Sequence, residues 1–527
     1  MAEPIVITEG LGGSTLSRAA RAGQLPEWFR VPPRGAEWRQ YVEDVRASVP
    51  ARWYDDLGPA FAARGLAADR LERSAGGKGI VVTTGQQPGM FGGPLMTFIK
   101  ALAARALADV LQESTDIPVA PVFWAATDDA DFDEASVVSV AIGDGARVLQ
   151  VTHRPPQGTP MARAPFDARE LDELSTILRD ATGTAPHASY LSAAIDAYSD
   201  SAMIGSAYVQ LLRAILEPLE IPVLDASDPA LTAAAQPMLQ RAANDSVALA
   251  DAVARRGRAI RDHGFTPQVD EIEDLSLVFL NADGVKRRLT IREATAYTGP
   301  RSGEHLSATV LLRPVLERTT LPTAAYLGGP GEVAYFAQVT AVAEALGAPQ
   351  PLVFPRWSAM IIEPKIQKIL KRLGVDAASL ADPHAVEGQV ARRRAPSDVQ
   401  QALAKARANL ERDTAAMKRA SDGLVPGAAV DGLHRSIAHR LDRMERRLLA
   451  AVKRREVDEM QRIATARASL FPHGVRQERK LAFIVFLARY GPALVEQMLS
   501  EARAHARSLV GGAPMMTPVS AAAPAPV

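Results

Sequence analysis

Cysteine is absent from the 527-residue chain, which removes disulfides, thiolate zinc sites, iron–sulfur clusters and a cysteine nucleophile from consideration. The lack fits a reducing compartment. Net charge is absent too, because 60 Lys and Arg residues balance 60 Asp and Glu. No bulk basic field therefore exists to hold nucleic acid or an anionic membrane. No stretch approaches the ~20 apolar residues of a spanning helix; Leu481–Ala488 is among the longest. The opening MAEPIVITEGLGGS carries Glu3 and Glu9 and lacks a basic region followed by an apolar one, so no signal peptide is expected. These absences point to a cytoplasmic protein with neither nucleic-acid nor membrane partners. What is present suffices for a large core: 47% of residues are hydrophobic and 23% charged. The length allows about three domains.

Residues 1–78 read as a helical segment, with Trp28, Trp38, Tyr41 and Trp53 as apolar anchors between Pro-marked breaks. From Gly79 the texture changes. A β-branched run at Ile80–Thr83, a Gly/Pro-rich turn, a helical pattern opened by Pro94 and a second strand-like run at Val119–Trp124 suggest a βαβ unit with a parallel sheet. The pattern recurs at Ile221–Asp225, where Asp228-Pro229 caps a helix, at Ala324–Leu327 and at Pro351–Phe354. Hairpins are expected where Ser136–Ile142 and Arg147–His153 flank Gly143-Asp144-Gly145, and where Leu275–Asn281 and Val285–Ile291 flank Ala282-Asp283-Gly284. The expectation is a Rossmann-like, doubly wound α/β core over 79–395, with inserted lobes near 136–200 and 255–315. After Pro396, Leu403, Leu410, Met417 and Leu424 fall seven apart, and a second periodic run follows from Val430 to Val452. Two such helices around a Gly/Pro loop predict an antiparallel coiled coil over 396–468, with a packed helical bundle as the alternative. Helices at 469–510 and a disordered Ala/Pro tail at 511–527 complete the expectation.

Three segments carry chemistry. In Thr84-Gly-Gln-Gln-Pro-Gly-Met-Phe-Gly-Gly-Pro-Leu-Met-Thr-Phe-Ile-Lys100, four glycines between a strand and a helix allow close backbone approach, and the helix N-terminus offers free N–H groups to an anion. That context binds phosphates in open α/β sheets. Neither G-x-x-x-x-G-K-[ST] nor G-x-G-x-x-G is present, so a turn that merely needs glycine is the equal alternative. In Pro121–Glu134 five carboxylates stand within seven residues after a strand. They repel unless solvated or facing a cation, so Asp128, Asp129 and Asp131 are candidate Mg²⁺ or ammonium ligands against a plain acidic loop. In Tyr326-Leu-Gly-Gly-Pro-Gly-Glu-Val-Ala-Tyr335 a strand again meets a glycine turn and a helix start, with Glu332 in its first turn. Three such turns of one sheet converge on one face. The histidines offer little: His434 and His439 are five apart and miss the helical ligand spacing.

Taken together, TGQQPGMFGGPLMTFIK, PVFWAATDDADFDE, YLGGPGEVAYFAQ with FPR, and LFPHGVRQERKLAFIVFLARYGP resemble, in order, the signature blocks of the bacillithiol-synthesis cysteine-adding enzymes, the BshC family. The resemblance spans essentially the whole chain. It implies a ligase that joins the cysteine carboxyl to the amine of glucosaminyl-malate, with ATP and Mg²⁺ as expected cofactors and a homodimer through the coiled coil. It also implies catalytic positions at Gln86, Gln87, Lys100, Asp129 and Asp131. Nucleotide or substrate contacts are implied at Gly85, Gly89, Gly93, Thr97, Trp124, Arg313, Gly329, Gly331, Glu332, Tyr335 and Arg356, with Arg313 or Arg356 on the malate carboxylates. Three positions depart from the family pattern: Ala130 replaces a histidine of the acidic block, Met96 a tyrosine and Ala482 an asparagine. An imidazole that carries protons is worth about 10²–10⁴ in rate. Either that histidine is dispensable, or this member acts on other substrates or has lost the step. An ATP-dependent ligase or nucleotidyl-transfer enzyme with a different amine, and a non-catalytic nucleotide-binding coiled-coil homologue, are the alternatives.

Overall fold

The computed structural model describes residues 3–76 and 78–511. Its central sheet has five strands, all parallel, in the spatial order Val353–Pro355, Thr323–Gly328, Ile80–Gln86, Val119–Ala125, Val223–Asp225. The first strand in sequence lies in the middle, and the chain builds outward on one side and then on the other. That is a Rossmann-like order, and the reversal falls between Ile80–Gln86 and Thr323–Gly328.

Residue alternation explains why helices cover both faces. Ile80, Val82, Val119, Phe123 and Val223 point into the largest core cluster, against the helices Leu95–Thr115 and Phe483–Val510. Val81, Ala120, Val122, Trp124 and Leu224 point the other way, against Trp53–Phe61 and Gly65–Gly76. Strands buried on both sides read as continuous apolar runs, which is how they stand in the sequence. At about 25 cal/mol per Å² of apolar surface, each fully buried Phe or Leu of these clusters contributes about 1.5–3 kcal/mol.

Both expected hairpins form. Val137–Ile142 pairs with Gly145–Gln150, and Leu275–Ala282 with Val285–Thr290, the latter joined by His305–Ala308 on its other edge. The loop that follows the first hairpin meets the second, where the Lys286 N–H donates to the Gly158 carbonyl at 2.8 Å.

Beyond the core, Ser397–Ala420 and Gly427–Arg455 are two long helices. Ion pairs Lys418–Asp431 (2.6 Å) and Arg407–Asp442 (2.8 Å) link them, so residues nearer the loop on one pair with residues nearer the loop on the other. They run antiparallel, as the heptad pattern predicts. The hairpin leaves Met417, Leu433 and Met444 at 45%, 43% and 54% exposure. The Ala/Pro tail expected from Gly511 lies, beyond Gly511 itself, outside the described residues.

Candidate active site

The reversal point of the sheet opens a cleft of about 670 Å³ at the carboxyl ends of its strands. All three sequence segments meet in it. Gly85, Gln86, Gln87 and Lys100 come from the first, Trp124, Asp128, Asp129 and Ala130 from the second, and Gly329, Gly331, Glu332 and Tyr335 from the third. Arg313 and Arg356 line it as well.

Lys100 lies at its floor. It projects from the helix that follows the glycine loop, and its side chain is 4% exposed. Its Nζ donates to the Gly85 carbonyl at 2.8 Å and Gln86 Oε1 at 3.0 Å, and pairs with Glu332 Oε2 at 2.7 Å. Glu332 is fixed in turn by the Gly329 N–H at 2.6 Å and by the Tyr326 hydroxyl. Burial lowers the Lys100 pKa from its ordinary value despite Glu332. Burial alone would raise that of Glu332, but Lys100, Tyr326 and the Gly329 N–H outweigh it, and its carboxyl ends below the ordinary value. The pair ties the first glycine turn to the third across the two central strands.

The cationic wall is Arg313. Its Nη1 donates to Glu317 Oε2 at 2.7 Å, and its guanidinium lies 5.0 Å over the Tyr326 ring. Glu317 also accepts from the Thr83 hydroxyl, and burial raises its pKa. An arginine held on one edge by a carboxylate and stacked on a ring keeps its remaining N–H groups in a fixed plane, suited to a carboxylate or phosphate.

The acidic loop is organised differently from a metal cage. Asp128 takes Lys286, whose Nζ lies 3.2 Å from Oδ2. Asp129 accepts from Gln87 Nε2 at 2.6 Å. Asp131, exposed, caps the short helix Phe132–Ala135 by accepting from the Glu134 N–H at 3.1 Å. Their mutual repulsion is relieved separately, by three different partners. Among the described residues no three carboxylates or imidazoles converge to hold a metal ion. Asp128, Asp129 and Asp131 are thus not gathered into one three-carboxylate group; Asp128 and Asp129 line the cleft and Asp131 does not. Glu134, which accepts from Gln86 Nε2 at 3.2 Å, has its pKa raised by burial and then by Asp131 and Asp129.

Other expected positions also fall elsewhere. Gly89, Gly93 and Thr97 do not line the cleft. A Cβ on Gly89 would sit 2.7 Å from Gly93 Cα, so these glycines fold the loop on itself. Thr97 is buried behind it. Arg356 borders the cleft, but both its terminal nitrogens bind Glu478, at 3.0 and 2.7 Å, and Nη1 also donates to the Trp357 carbonyl at 2.8 Å. With side chains 0% and 2% exposed, that pair is internal, and the guanidinium fork is not free for a substrate carboxylate. Sequence reasoning missed Lys286, Arg288, Arg479 and Phe279, which line the cleft. The first two lie on an inserted hairpin strand whose only local signal is alternation.

Two comparisons bear on this arrangement. A family model described as the N-terminal Rossmann-like domain of bacillithiol biosynthesis BshC matches residues 59–301 and 298–357. One described as the C-terminal coiled-coil domain matches 359–508. The chain belongs to the BshC family. Among its similar BshC relatives, a Koribacter versatilis protein is 30% identical over 82% of this chain and 83% of its own. A Salinibacter ruber protein is 28% identical over 80% of each chain, and one from Symbiobacterium thermophilum 27% identical over 94% of this chain and 97% of its own. All three carry the name "Putative cysteine ligase BshC". In this BshC member Ala130 lies on the cleft wall beside Asp129.

Proposed function

We propose that this protein is a ligase of bacillithiol biosynthesis that joins the carboxyl of cysteine to the amine of glucosaminyl-malate, with ATP activating the carboxyl in the cleft at the sheet's reversal point. The observation that carries the reading is the meeting of Lys100, Arg313, Lys286, Arg288 and the Gly329–Gly331 helix N-terminus in one cleft. Cationic side chains outnumber carboxylates in its lining, as an anionic substrate requires.

A free carboxylate is a poor acyl donor because its leaving group would be oxide. Attack of the carboxylate on a phosphorus of ATP gives an acyl adenylate and pyrophosphate, or an acyl phosphate and ADP. The amine then attacks the acyl carbon, the amide C–N bond forms, AMP or phosphate leaves, and the ammonium proton passes to solvent or a nearby base. Lys100 and Arg313 oppose the charge that gathers on the phosphoryl and carbonyl oxygens, in a buried setting where such interactions are strong. Gln86 and Gln87, held by Lys100, Glu134 and Asp129, orient without adding charge. Magnesium would arrive on the nucleotide and neutralise its phosphates; one or two carboxylates with substrate phosphates are its usual ligands, and Asp129, which lines the cleft, would be one. The coiled-coil hairpin supports homodimerisation, since Met417, Leu433 and Met444 are uncovered at heptad positions.

The test is the purified protein with cysteine, glucosaminyl-malate, ATP and Mg²⁺, followed by mass spectrometry with each component omitted in turn. Bacillithiol that requires all three substrates is the expected result. No product from folded protein overturns the reading.

A further inference from the structure

A second cavity, of about 400 Å³, lies beside the cleft. The two share Trp124, Asp128, Ala308 and Arg313 as their dividing wall. The second is set between the Val119–Ala125 and Val223–Asp225 strand ends, the start of the helix Pro229–Asn244, and the His305–Ala308 strand.

Its polar lining has the opposite character to that of the cleft. Asp225 accepts three hydrogen bonds on Oδ1, from the Ser227 N–H at 3.0 Å, the Ser227 hydroxyl at 2.9 Å and the Thr127 hydroxyl. That fixes the carboxylate and leaves Oδ2 to the cavity. Asp228 spends Oδ1 on the Ala230 N–H at 2.8 Å. Asn281 donates its amide N–H to Ser307 Oγ at 2.9 Å, so its carbonyl oxygen is the atom left over. Asp128 is shared with Lys286 at the divide. Burial, and then Arg163, hold the His305 imidazole below its ordinary pKa, so one ring nitrogen keeps its lone pair at neutral pH. Against these acceptors stand Arg163, exposed at the lip, and Arg313, already bonded to Glu317. Buried Trp124, Leu231 and Leu306 supply apolar surface.

An excess of fixed acceptors around an aromatic and aliphatic floor suits a ligand with several donors and a carbon face: a polyhydroxylated amine of sugar size. We infer that this cavity is the seat of the amine substrate's hydroxylated ring, with Asp225 as its anchor, and that the donor-rich cleft holds the anionic, activated partner. The two substrates then meet across the Trp124–Asp128–Arg313 wall. Which reactant the cavity serves rests on the ligase reading; its preference for a hydroxylated amine does not.

The probe is methyl 2-amino-2-deoxyglucoside, followed by saturation-transfer NMR and calorimetry on the full chain. The native protein binds it. Asp225→Asn weakens it about tenfold or more, the loss expected for a charged hydrogen-bond acceptor. Because Asp225 also orders the Thr127–Ser227 turn, Ser206→Phe provides a second variant, closing the cavity from its exposed wall. Arg479→Ala, in the cleft alone, leaves probe binding within about twofold. In the ligation assay, Asp225→Asn raises the KM for the amine about tenfold and leaves the KM for ATP within about twofold. No probe binding by folded native protein, binding untouched in both cavity variants, or a changed KM for ATP instead of the amine overturns the inference. Probe binding that depends on Asp225, with no ligation product under any conditions, upholds the cavity's preference for a hydroxylated amine while refuting the ligase and the cavity's role in it.

Discussion

Glu332→Gln keeps the size of the side chain and an acceptor for the Gly329 N–H, but removes the negative charge 2.7 Å from Lys100. A buried ammonium left without its counter-ion costs about 3–5 kcal/mol. Lys100 has one escape, which is to lose its proton. From an ordinary value of 10.5 that loss costs at most about 5 kcal/mol at pH 7 and about 2 kcal/mol at pH 9, at 1.36 kcal/mol per pH unit. The deficit of the variant is therefore capped near those figures and shrinks as the pH rises. Its direction follows from the Lys100 pKa, which is already below its ordinary value in the folded protein and falls further once Glu332 is neutral. Folding then releases a proton, and stability climbs with pH up to the unfolded value. Urea unfolding at pH 7 and pH 9, followed by tryptophan fluorescence, measures both quantities. A deficit below about 1 kcal/mol, or one equal at the two pH values, would refute the description of this pair as buried and mutually dependent.

Glu478→Ala strands the Arg356 guanidinium in the interior and is expected to cost about 3–5 kcal/mol in chemical denaturation; a loss under about 1 kcal/mol would mean the pair is solvated. Gly89→Ala drives a methyl against Gly93 Cα at 2.7 Å and is expected to lower the melting temperature and abolish product together, because the loop cannot close on itself. An unchanged melting temperature would contradict that packing. Met444→Glu combined with Leu433→Glu is expected to leave the circular dichroism spectrum intact and to shift sedimentation from dimer to monomer. Sedimentation identical to that of the native protein would show that these exposed positions do not carry association.

The features that could be read from the sequence are local ones. Ile80–Gln86 and Val119–Ala125 announce themselves as apolar runs, Asp228-Pro229 as a helix start, and the Gly143–Gly145 and Asp283-Gly284 turns as hairpins, because each signal lies within a few residues of what it specifies. The convergence of two glycine turns and the acidic turn between them was also legible, since strand polarity places them on one edge. Partnerships across the chain were not. Lys100 meets Glu332 and Arg356 meets Glu478 only because parallel strands and the returning C-terminal segment bring them together. The FPR block that made Arg356 resemble a substrate ligand contains no trace of its buried carboxylate. The acidic loop shows the same limit: its repulsion is real, but Lys286 and Gln87, which relieve Asp128 and Asp129, come from other segments.

The central claim is that bond formation occurs in the cleft where the sheet reverses, and the most direct test is the single-turnover ligation rate of Lys100→Met beside the native protein. Burial of Lys100 among Gly85, Gln86 and Glu332 predicts a loss of at least about 100-fold with the fold retained, the scale expected when an oriented charged group leaves the reacting centre. A folded Lys100→Met protein that forms bacillithiol at the native rate would contradict the account and move the chemistry out of this cleft.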